Sequence, residues 1–255
     1  MLNRVFQLFK ITRKLSTSGA VETINQIYNL PILLKIFFNV FSIGSSKKKF
    51  NDQKKPGEKL CLALEGMGTT FIKLGQFLAT RPDIIGEKLS KELESLQDKL
   101  PPFSKKEAEK IIIENLGQSS FDDIIDLSDP IAAASIAQVH RAKIKEDNII
   151  KNVAIKVLRP NIKKIFNEEI DAIMLLAYIV ESLIAKTKRL KLIEVVFLFK
   201  EITNHEMDLR FEAAAANEYA ENTKNDLGFF VPKIYWNFTS ESVLTLDWVD
   251  GVSIR

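Results

Sequence analysis

The sequence predicts an α+β fold in which one antiparallel sheet is covered by helices and is preceded by a helical region. Three observations carry this prediction. Before Pro130, apolar residues recur at every third and fourth position, which is the spacing of an amphipathic helix. After Pro130, and again near the end of the chain, short β-branched runs are separated by turn residues. Long helical patterns stand between these two groups of strands, an order typical of an antiparallel sheet with helices on its face.

Composition limits the class of protein. The chain has 255 residues, 46% of them hydrophobic and 27% charged, with a formal net charge of +3. These values are typical of a globular protein with a core and give no reason to expect binding to nucleic acid. A single cysteine, Cys61, excludes an intrachain disulfide framework. With two histidines besides, no metal site is predicted.

Residues 1–59 are predicted to form a basic amphipathic region and a linker. Residues 1–21 contain four basic residues and no acid, which fits either a mitochondrial presequence or a helix on a membrane surface. Residues 46–59 have six lysines against two acids, which favours a solvated linker and leaves an anionic bilayer as the alternative. The apolar run 29–44 contains Lys35 and is too short for a predicted transmembrane helix.

Residues 60–129 are predicted to be a helical extension. Helical spacing continues from Leu60 to Leu78 until Arg81-Pro82 ends it. A second helix is predicted over 86–100, and a third over 104–115. Ser104 and Glu107 have the spacing of a capping box at the start of the third helix.

Residues 130–255 are predicted to hold the sheet. The predicted elements are, in order, strands 132–142 and 153–158 around a turn at 145–152, helices 162–186 and 192–222, and strands 231–236 and 242–249.

A lysine within the second strand is the first candidate for chemistry. Lys156 ends the run Val-Ala-Ile-Lys, which is typical of protein kinases, where the lysine contacts nucleotide phosphates and pairs with a helix glutamate. An edge-strand lysine facing water is the alternative. The helical segment 204–219 offers Glu206, Asp208 and Glu212 as partners. Asp208 and Glu212, four residues apart, are expected to share a helix face, and Glu206 to point elsewhere.

A run of alanines stands where a phosphate-binding loop would contain glycines. Glycine lets backbone amides approach phosphates and adopt positive φ, whereas alanine adds a Cβ that restricts both. The alanine loop is Ala132-Ala133-Ala134-Ser135. A generic nucleotide loop would not have this composition.

Several motifs in this order resemble the UbiB/ABC1 atypical kinase-like family, which includes the mitochondrial coenzyme Q proteins. The resemblance covers about residues 60–251. Its motifs are the alanine loop followed by Ser-Ile-Ala-Gln-Val-His-Arg-Ala, Val-Ala-Ile-Lys, Lys73-Leu74-Gly75-Gln76, Leu-Gln-Asp-Lys-Leu-Pro-Pro at 96–102, and Glu206-Met207-Asp208. The implied fold is a kinase-like N-lobe from residue 130 that follows the family's helical extension.

The resemblance implies a role for each motif residue. Lys156 would contact nucleotide phosphates and pair with Glu212, and the alanine loop would cover the nucleotide. Lys73 and Gln76, on the motif that contains Gly75, would project into the space where a protein kinase admits its peptide substrate. Glu206 and Asp208 would meet Lys73 there, because a buried lysine requires a carboxylate partner.

The resemblance also implies a cellular role. Members of the family are associated with ubiquinone (coenzyme Q) biosynthesis, ATP binding with Mg²⁺, ATPase-type activity and membranes. Expected partners are the membrane surface and lipid-biosynthesis proteins or lipid intermediates. The expected location is peripheral, at the cytoplasmic face of a bacterial inner membrane, with the mitochondrion as the alternative.

The sequence departs from a complete kinase-like protein at its end. It contains no Asp-Phe-Gly motif, and phosphoryl transfer requires that aspartate and a catalytic-loop asparagine for metal binding. We therefore expect an N-terminal half that ends at the hinge, carries no complete catalytic set and needs a C-lobe, which could be encoded separately. The alternative is a non-catalytic module that binds membrane or partners through residues 1–59. A third hypothesis is ATP binding by the N-lobe alone, which we expect to be weak or absent because metal-binding groups contribute much of the phosphate affinity in this architecture.

Overall fold

The computed structural model describes residues 2–46, 48, 54–96 and 100–252. The chain divides into two compact units. The first contains Met1–Asp98 and Lys163–Ile202, and the second contains Lys99–Ile162 and Thr203–Arg255.

The elements of the described residues alternate between these units. The α-helices are α1 (Leu2–Thr17), α2 (Ala20–Tyr28), α3 (Ile32–Ser42), α4 (Pro56–Met67), α5 (Thr69–Ala79), α6 (Pro82–Ile85), α7 (Glu87–Leu93), α8 (Lys105–Leu116), α9 (Gln118–Asp122), α10 (Ile162–Leu183), α11 (Leu192–Glu206) and α12 (Leu209–Asn222). The strands are β1 (Ile124–Ile125), β2 (Pro130–Ala133), β3 (Ala137–Glu146), β4 (Ile149–Leu158) and β5 (Val243–Asp247). Short 3₁₀ helices cover Ala185–Leu190 and Trp236–Phe238.

The described part of the first unit is helical. Helix α4 packs against α2, α5 and α7, and its Leu60 and Leu64 are buried. The predicted continuous helix from Leu60 to Leu78 is wrong, because the chain breaks at Gly68, whose φ of +98° is left-handed. The predicted helix over 86–100 is shorter and forms α7, and residues 97–99 lie outside the described residues.

The N-terminal helices expose much of their apolar surface. Helix α1 packs against α3, and the ring centroids of Phe9 and Phe41 lie 5.5 Å apart at this contact. Leu34 is buried, whereas Ile32, Leu33, Ile36 and Val40 on α3 are exposed. Among the helices described, none has the length and apolar character needed to cross a membrane.

The second unit contains one antiparallel sheet, so the predicted α+β architecture is confirmed. The strand order is β1-β3-β4-β5, and β2 pairs with β3 beside β1. One face of the sheet packs on α8, where Ala108 and Ile112 meet Ile144 and Ile155 in the core. Helix α12 packs against β5.

The long hairpin β3–β4 is tighter than predicted. Its strands pair continuously from Ala137 and Leu158 to Glu146 and Ile149, so a two-residue turn replaces the predicted turn over 145–152. Asp147 and Asn148 both have positive φ, 49° and 61°, as a type I′ turn requires. The charged strand residues that suggested a longer turn instead face solvent on paired strands.

Two other predictions about this unit need correction. The predicted helix 192–222 breaks between α11 and α12, because Asp208 is extended and caps α12. The predicted strand 231–236 is reduced to one bridge between Ile234 and Leu246, since Pro232 has no N–H to donate and the chain turns into the 3₁₀ helix at Trp236. The capping box of Ser104 and Glu107 is confirmed at the start of α8.

Candidate functional site

Lys156 lies on the face of β4 opposite the α8 core. Side chains alternate across a strand, so Val153, Ile155 and Val157 are buried in the core while Lys156 points to the α12 side. Its Nζ donates to Oε2 and Oε1 of Glu212 at 2.7 and 3.0 Å. The predicted pairing of these two residues is thus present, and their role towards a nucleotide stays a prediction.

The Lys156–Glu212 ion pair is partly open to water. The side chains are 28% and 49% exposed, and exposed ion pairs contribute at most about 1 kcal/mol to stability. The ion pair therefore matters less for stability than for holding the Lys156 ammonium group in place between β4 and α12. An ammonium held there can accept an anionic group as a further partner.

Small and apolar side chains surround Lys156 on the same face. The strand register places Val139 and Leu244 on either side of Lys156, and Leu246 beside Ala154. Val139, Ala154 and Leu246 are half-buried. This arrangement places half-buried apolar side chains next to a cation, which suits a ligand with a planar ring and a phosphate chain.

Arg141 and Trp248 bound this surface on one side. Arg141 lies opposite Ala154 in the register, and its Cζ is 4.8 Å from the centre of the Trp248 ring, within the range of a cation–π contact. The Trp248 amide donates to the Asn152 carbonyl at 3.0 Å, which fixes the chain as it leaves β5.

The alanine loop connects β2 to β3. Ala132 and Ala133 pair with Val139 and Gln138, and the Ala134 amide donates to the Ala137 carbonyl at 2.8 Å. None of the four loop residues has a positive φ. The loop therefore forms a hydrogen-bonded turn with ordinary backbone angles and does not use the freedom that glycine would give.

Arg159 contacts the back of the alanine loop, and sequence reasoning missed this residue. Its Nη2 and Nε donate to the Ala134 carbonyl at 2.8 and 3.1 Å. Its Nη1 donates to the Pro101 carbonyl at 3.0 Å, and its own amide donates to the Ile136 carbonyl at 2.8 Å. The available signal was an arginine directly after the Val-Ala-Ile-Lys strand, which the sequence alone presented as a strand end.

A buried polar chain on the opposite face of β3 holds the same neighbourhood together. The Gln138 amide nitrogen donates to the Phe103 carbonyl at 3.2 Å, and its oxygen accepts from the Phe103 amide at 2.9 Å. That nitrogen also lies 2.9 Å from His140 Nε2, and His140 Nδ1 lies 2.8 Å from the Ser128 carbonyl. A carbonyl can only accept, so Nδ1 carries the proton and Nε2 accepts from Gln138.

Burial lowers the pKa of His140. The side chain is buried, and desolvation lowers the pKa of its imidazole, partly opposed by the hydrogen bond to Ser128. A neutral imidazole suits this position because protonated Nε2 would face the Gln138 donor. The available signal for these hydrogen bonds was that Gln138 and His140 lie on the same face of the strand as the buried residues Ala142 and Ile144.

Glu206 and Asp208 do not lie on one continuous helix. Glu206 ends α11, while Asp208 lies before α12 with an extended backbone. Asp208 accepts from the Arg210 amide at 3.1 Å and binds the Arg210 guanidinium through both oxygens, at 2.9 and 2.7 Å. The expectation that Asp208 and Glu212 share a helix face is wrong, because Asp208 caps the helix that carries Glu212.

Lys73, Gly75 and Gln76 all lie on α5 in the first unit. Gly75 is buried, and a Cβ added there would be 2.6 Å from Leu96 Cδ2 and 2.8 Å from Leu64 Cδ1. Glu206 and Asp208 belong to the second unit, and the implied meeting of Lys73 with these carboxylates stays a prediction. In the motif at 96–102, residues 97–99 lie outside the described residues.

The donor groups favour a phosphate over a metal ion. The ammonium group of Lys156 suits an anion. Within the described ranges, no three His, Cys, Asp or Glu side chains are close enough to hold a metal ion, and Mg²⁺ prefers an octahedron of oxygen ligands. At nucleotide sites Mg²⁺ is usually held by substrate phosphates and water with one or two carboxylates, so the Mg²⁺ that the resemblance implies stays a prediction.

Comparisons with known proteins agree with one another. A model of the ABC1 atypical kinase-like domain matches residues 95–255. The "Probable protein kinase UbiB" of Marinobacter nauticus is 35% identical over 236 residues, which are 92% of this chain and 42% of the relative. Proteins of the same name from Tolumonas auensis and Cellvibrio japonicus are 37% and 36% identical over 82% and 78% of this chain, and 38% and 36% of their own lengths. The chain thus spans less than half the length of these relatives.

Proposed function

Because the chain belongs to the ABC1 atypical kinase-like family, we propose that its second unit binds ATP on the face of the sheet that carries Lys156. The observation that carries this proposal is the Lys156–Glu212 ion pair, at 2.7 Å, beside the apolar surface of Val139 and Ala154. Lys156 would contact the phosphates, the alanine loop would cover them, and the adenine ring would lie on the apolar surface.

Direct titration with ATP tests this proposal. We expect Lys156→Ala to weaken ATP binding at least tenfold, because a charged contact to a phosphate is lost, and to change adenosine binding little. Lys151→Ala is the matched control, since Lys151 is an exposed lysine on the same strand. The proposal is wrong if the wild-type chain does not bind ATP up to roughly 1 mM, the upper end of common substrate affinities.

Turnover of ATP is a separate step. We propose that ATPase-type activity depends on residues of the Asp-Phe-Gly and catalytic-loop type, which supply Mg²⁺ ligands in kinases and which this sequence does not contain. Mixing the chain with the C-terminal part of its Marinobacter nauticus relative is the test. Phosphate release should require both parts and should fall in Lys156→Ala, whereas equal release without the second part would contradict the proposal.

We further propose a role in ubiquinone biosynthesis, which the family resemblance and the name UbiB of the relatives support. The test is expression in a bacterial strain whose ubiquinone content has fallen on deletion of its UbiB protein. Restored ubiquinone with the wild-type chain, but not with Lys156→Ala, is the expected result. No restoration, even with the C-terminal part of a relative present, would count against this role.

A second candidate function is attachment to an anionic membrane surface, at the cytoplasmic face of a bacterial inner membrane. The observation that favours it is the exposed apolar side of α3, where Ile36 is 54% exposed; the lysines of residues 46–59 follow α3 in the sequence. Apolar side chains beside basic residues are typical of helices that lie in the membrane interface.

Vesicle flotation separates this candidate from a soluble module. Ile36→Asp should lower binding to vesicles that contain anionic lipid, while Ile150→Asp should not, because Ile150 is similarly exposed, at 60%, but lies on a hairpin of the second unit. Neutral vesicles should bind less of the wild-type chain, since the lysines then have no anionic partner. Equal flotation of both variants would refute the proposed surface.

A further inference from the structure

We propose that Arg159 is the positioning residue of the alanine loop, and that it fixes this loop to the backbone of residues 100–101. The identity of the ligand under the loop rests on the proposed function, whereas the fixing of the loop does not. Arg159 follows directly after β4, the strand that carries Lys156. The short segment 156–159 would therefore position both the Lys156 ammonium group and the alanine loop.

The guanidinium connects two segments that are distant in sequence. It donates to the Ala134 carbonyl at 2.8 and 3.1 Å on one side, and to the carbonyls of Pro101 and Leu100 at 3.0 and 3.4 Å on the other. Its Cζ lies 5.8 Å from the centre of the Phe103 ring. Phe103 in turn is held by Gln138 through its amide and its carbonyl. The segment 100–103 is thus linked to the alanine loop through Arg159 and to β3 through Gln138.

The main chain of Arg159 completes the attachment. Its amide donates to the Ile136 carbonyl, and the Ala134 amide donates to the Ala137 carbonyl, each at 2.8 Å. Arg159 therefore contacts the turn at Ala134 through its side chain and at Ile136 through its backbone. The loop has no left-handed residues, so a turn of ordinary backbone angles is held in one conformation by hydrogen bonds from behind.

This geometry requires arginine. A guanidinium presents five N–H donors in a rigid plane and can bond carbonyls on two sides, whereas the lysine ammonium is a compact group on a flexible stem. Lysine keeps the charge but cannot reach Ala134 and Pro101 together with the same directions. Arg159→Lys and Arg159→Gln are therefore the informative variants, and Arg189→Lys, at an exposed arginine, is the matched control.

Hydrogen exchange tests the fixing of the loop without any ligand. In Arg159→Gln and Arg159→Lys, amides of residues 131–137 should exchange roughly tenfold faster, the change expected from losing a charged hydrogen bond. Amides 153–157 in β4 should keep their wild-type rates. Unchanged exchange in 131–137 would overturn the inference, and so would an equal rise in both segments, because that would indicate a general loss of stability. The lysine variant keeps the test valid if the glutamine variant does not fold.

Nucleotide titration tests the consequence for the site. Arg159→Lys should weaken ATP binding about tenfold and change adenosine binding less than about twofold, because the alanine loop would cover the phosphates and not the ring. Equal weakening for both ligands would overturn the positioning role. If the wild-type chain binds neither ligand, the proposed ATP function fails, and hydrogen exchange alone then decides whether Arg159 fixes the loop.

Discussion

Gly75→Ala should destabilise the first unit by overpacking it. The added Cβ would lie 2.6 Å from Leu96 Cδ2 and 2.8 Å from Leu64 Cδ1, distances at which one of the leucines must move. Leucine methyl groups can rotate, but both side chains are buried, so no open space receives them. Overpacking of this kind costs about 1–3 kcal/mol, and the better helix propensity of alanine returns about 1 kcal/mol. We expect a net loss of about 1 kcal/mol.

Gly66→Ala is the control for this variant. Gly66 also lies in a helix, and a Cβ there meets Lys48 Nζ at 3.5 Å, an ordinary van der Waals contact. It should therefore be neutral or stabilise by up to about 1 kcal/mol. The free energy of unfolding would be measured by guanidinium denaturation followed by helical circular dichroism. A Gly75→Ala variant as stable as Gly66→Ala would refute the packing argument and leave the motif glycine without this explanation.

Two further predictions concern the second unit. Burial lowers the pKa of His140, so the stability that its neutral imidazole contributes is complete above the unfolded pKa of about 6.5 and is lost as the pH falls below that value. Between about pH 7.5 and 5, the urea midpoint should fall in the wild type and in the control His205→Asn, but much less in His140→Asn. Identical pH dependence of the midpoint in all three proteins would contradict this prediction. Ser104→Ala removes the capping-box oxygen that accepts from the Glu107 amide and should cost about 1 kcal/mol. Ser119→Ala, at an exposed serine of α9, should change stability by less than about 0.5 kcal/mol. Thermal unfolding of both variants checks this, and equal melting temperatures would contradict it.

Local chemistry accounts for the parts of the fold that sequence predicted well. The Val-Ala-Ile-Lys run marked the strand that carries Lys156, and the Ser104 and Glu107 spacing marked the start of α8. Breaks inside apolar patterns were harder to find. At Gly68 and Asp208 the helical spacing continues across the break, and only the backbone conformation, positive φ in one case and a cap in the other, separates the helices.

The residues of the candidate site also differ in how far the sequence could predict them. Lys156 could be named from the Val-Ala-Ile-Lys motif and Glu212 from the family resemblance, although 56 residues separate the pair. Arg159 could not, because its partners are backbone carbonyls 25 and 58 residues away, and a carbonyl leaves no residue-type signal in a sequence. Gln138 and His140 were open to inference, since polar residues at buried strand positions require partners.

The contact between Arg141 and Trp248 gives the chain an optical reporter of its own site. The guanidinium lies 4.8 Å from the indole centre, and Arg141 lies opposite Ala154, on the surface where the adenine ring would lie. A ligand that moves the Arg141 guanidinium would change the electric field at the Trp248 indole and hence its fluorescence emission. The sequence has two tryptophans, so a Trp236→Phe background isolates Trp248 and allows ligand binding to be followed without a label.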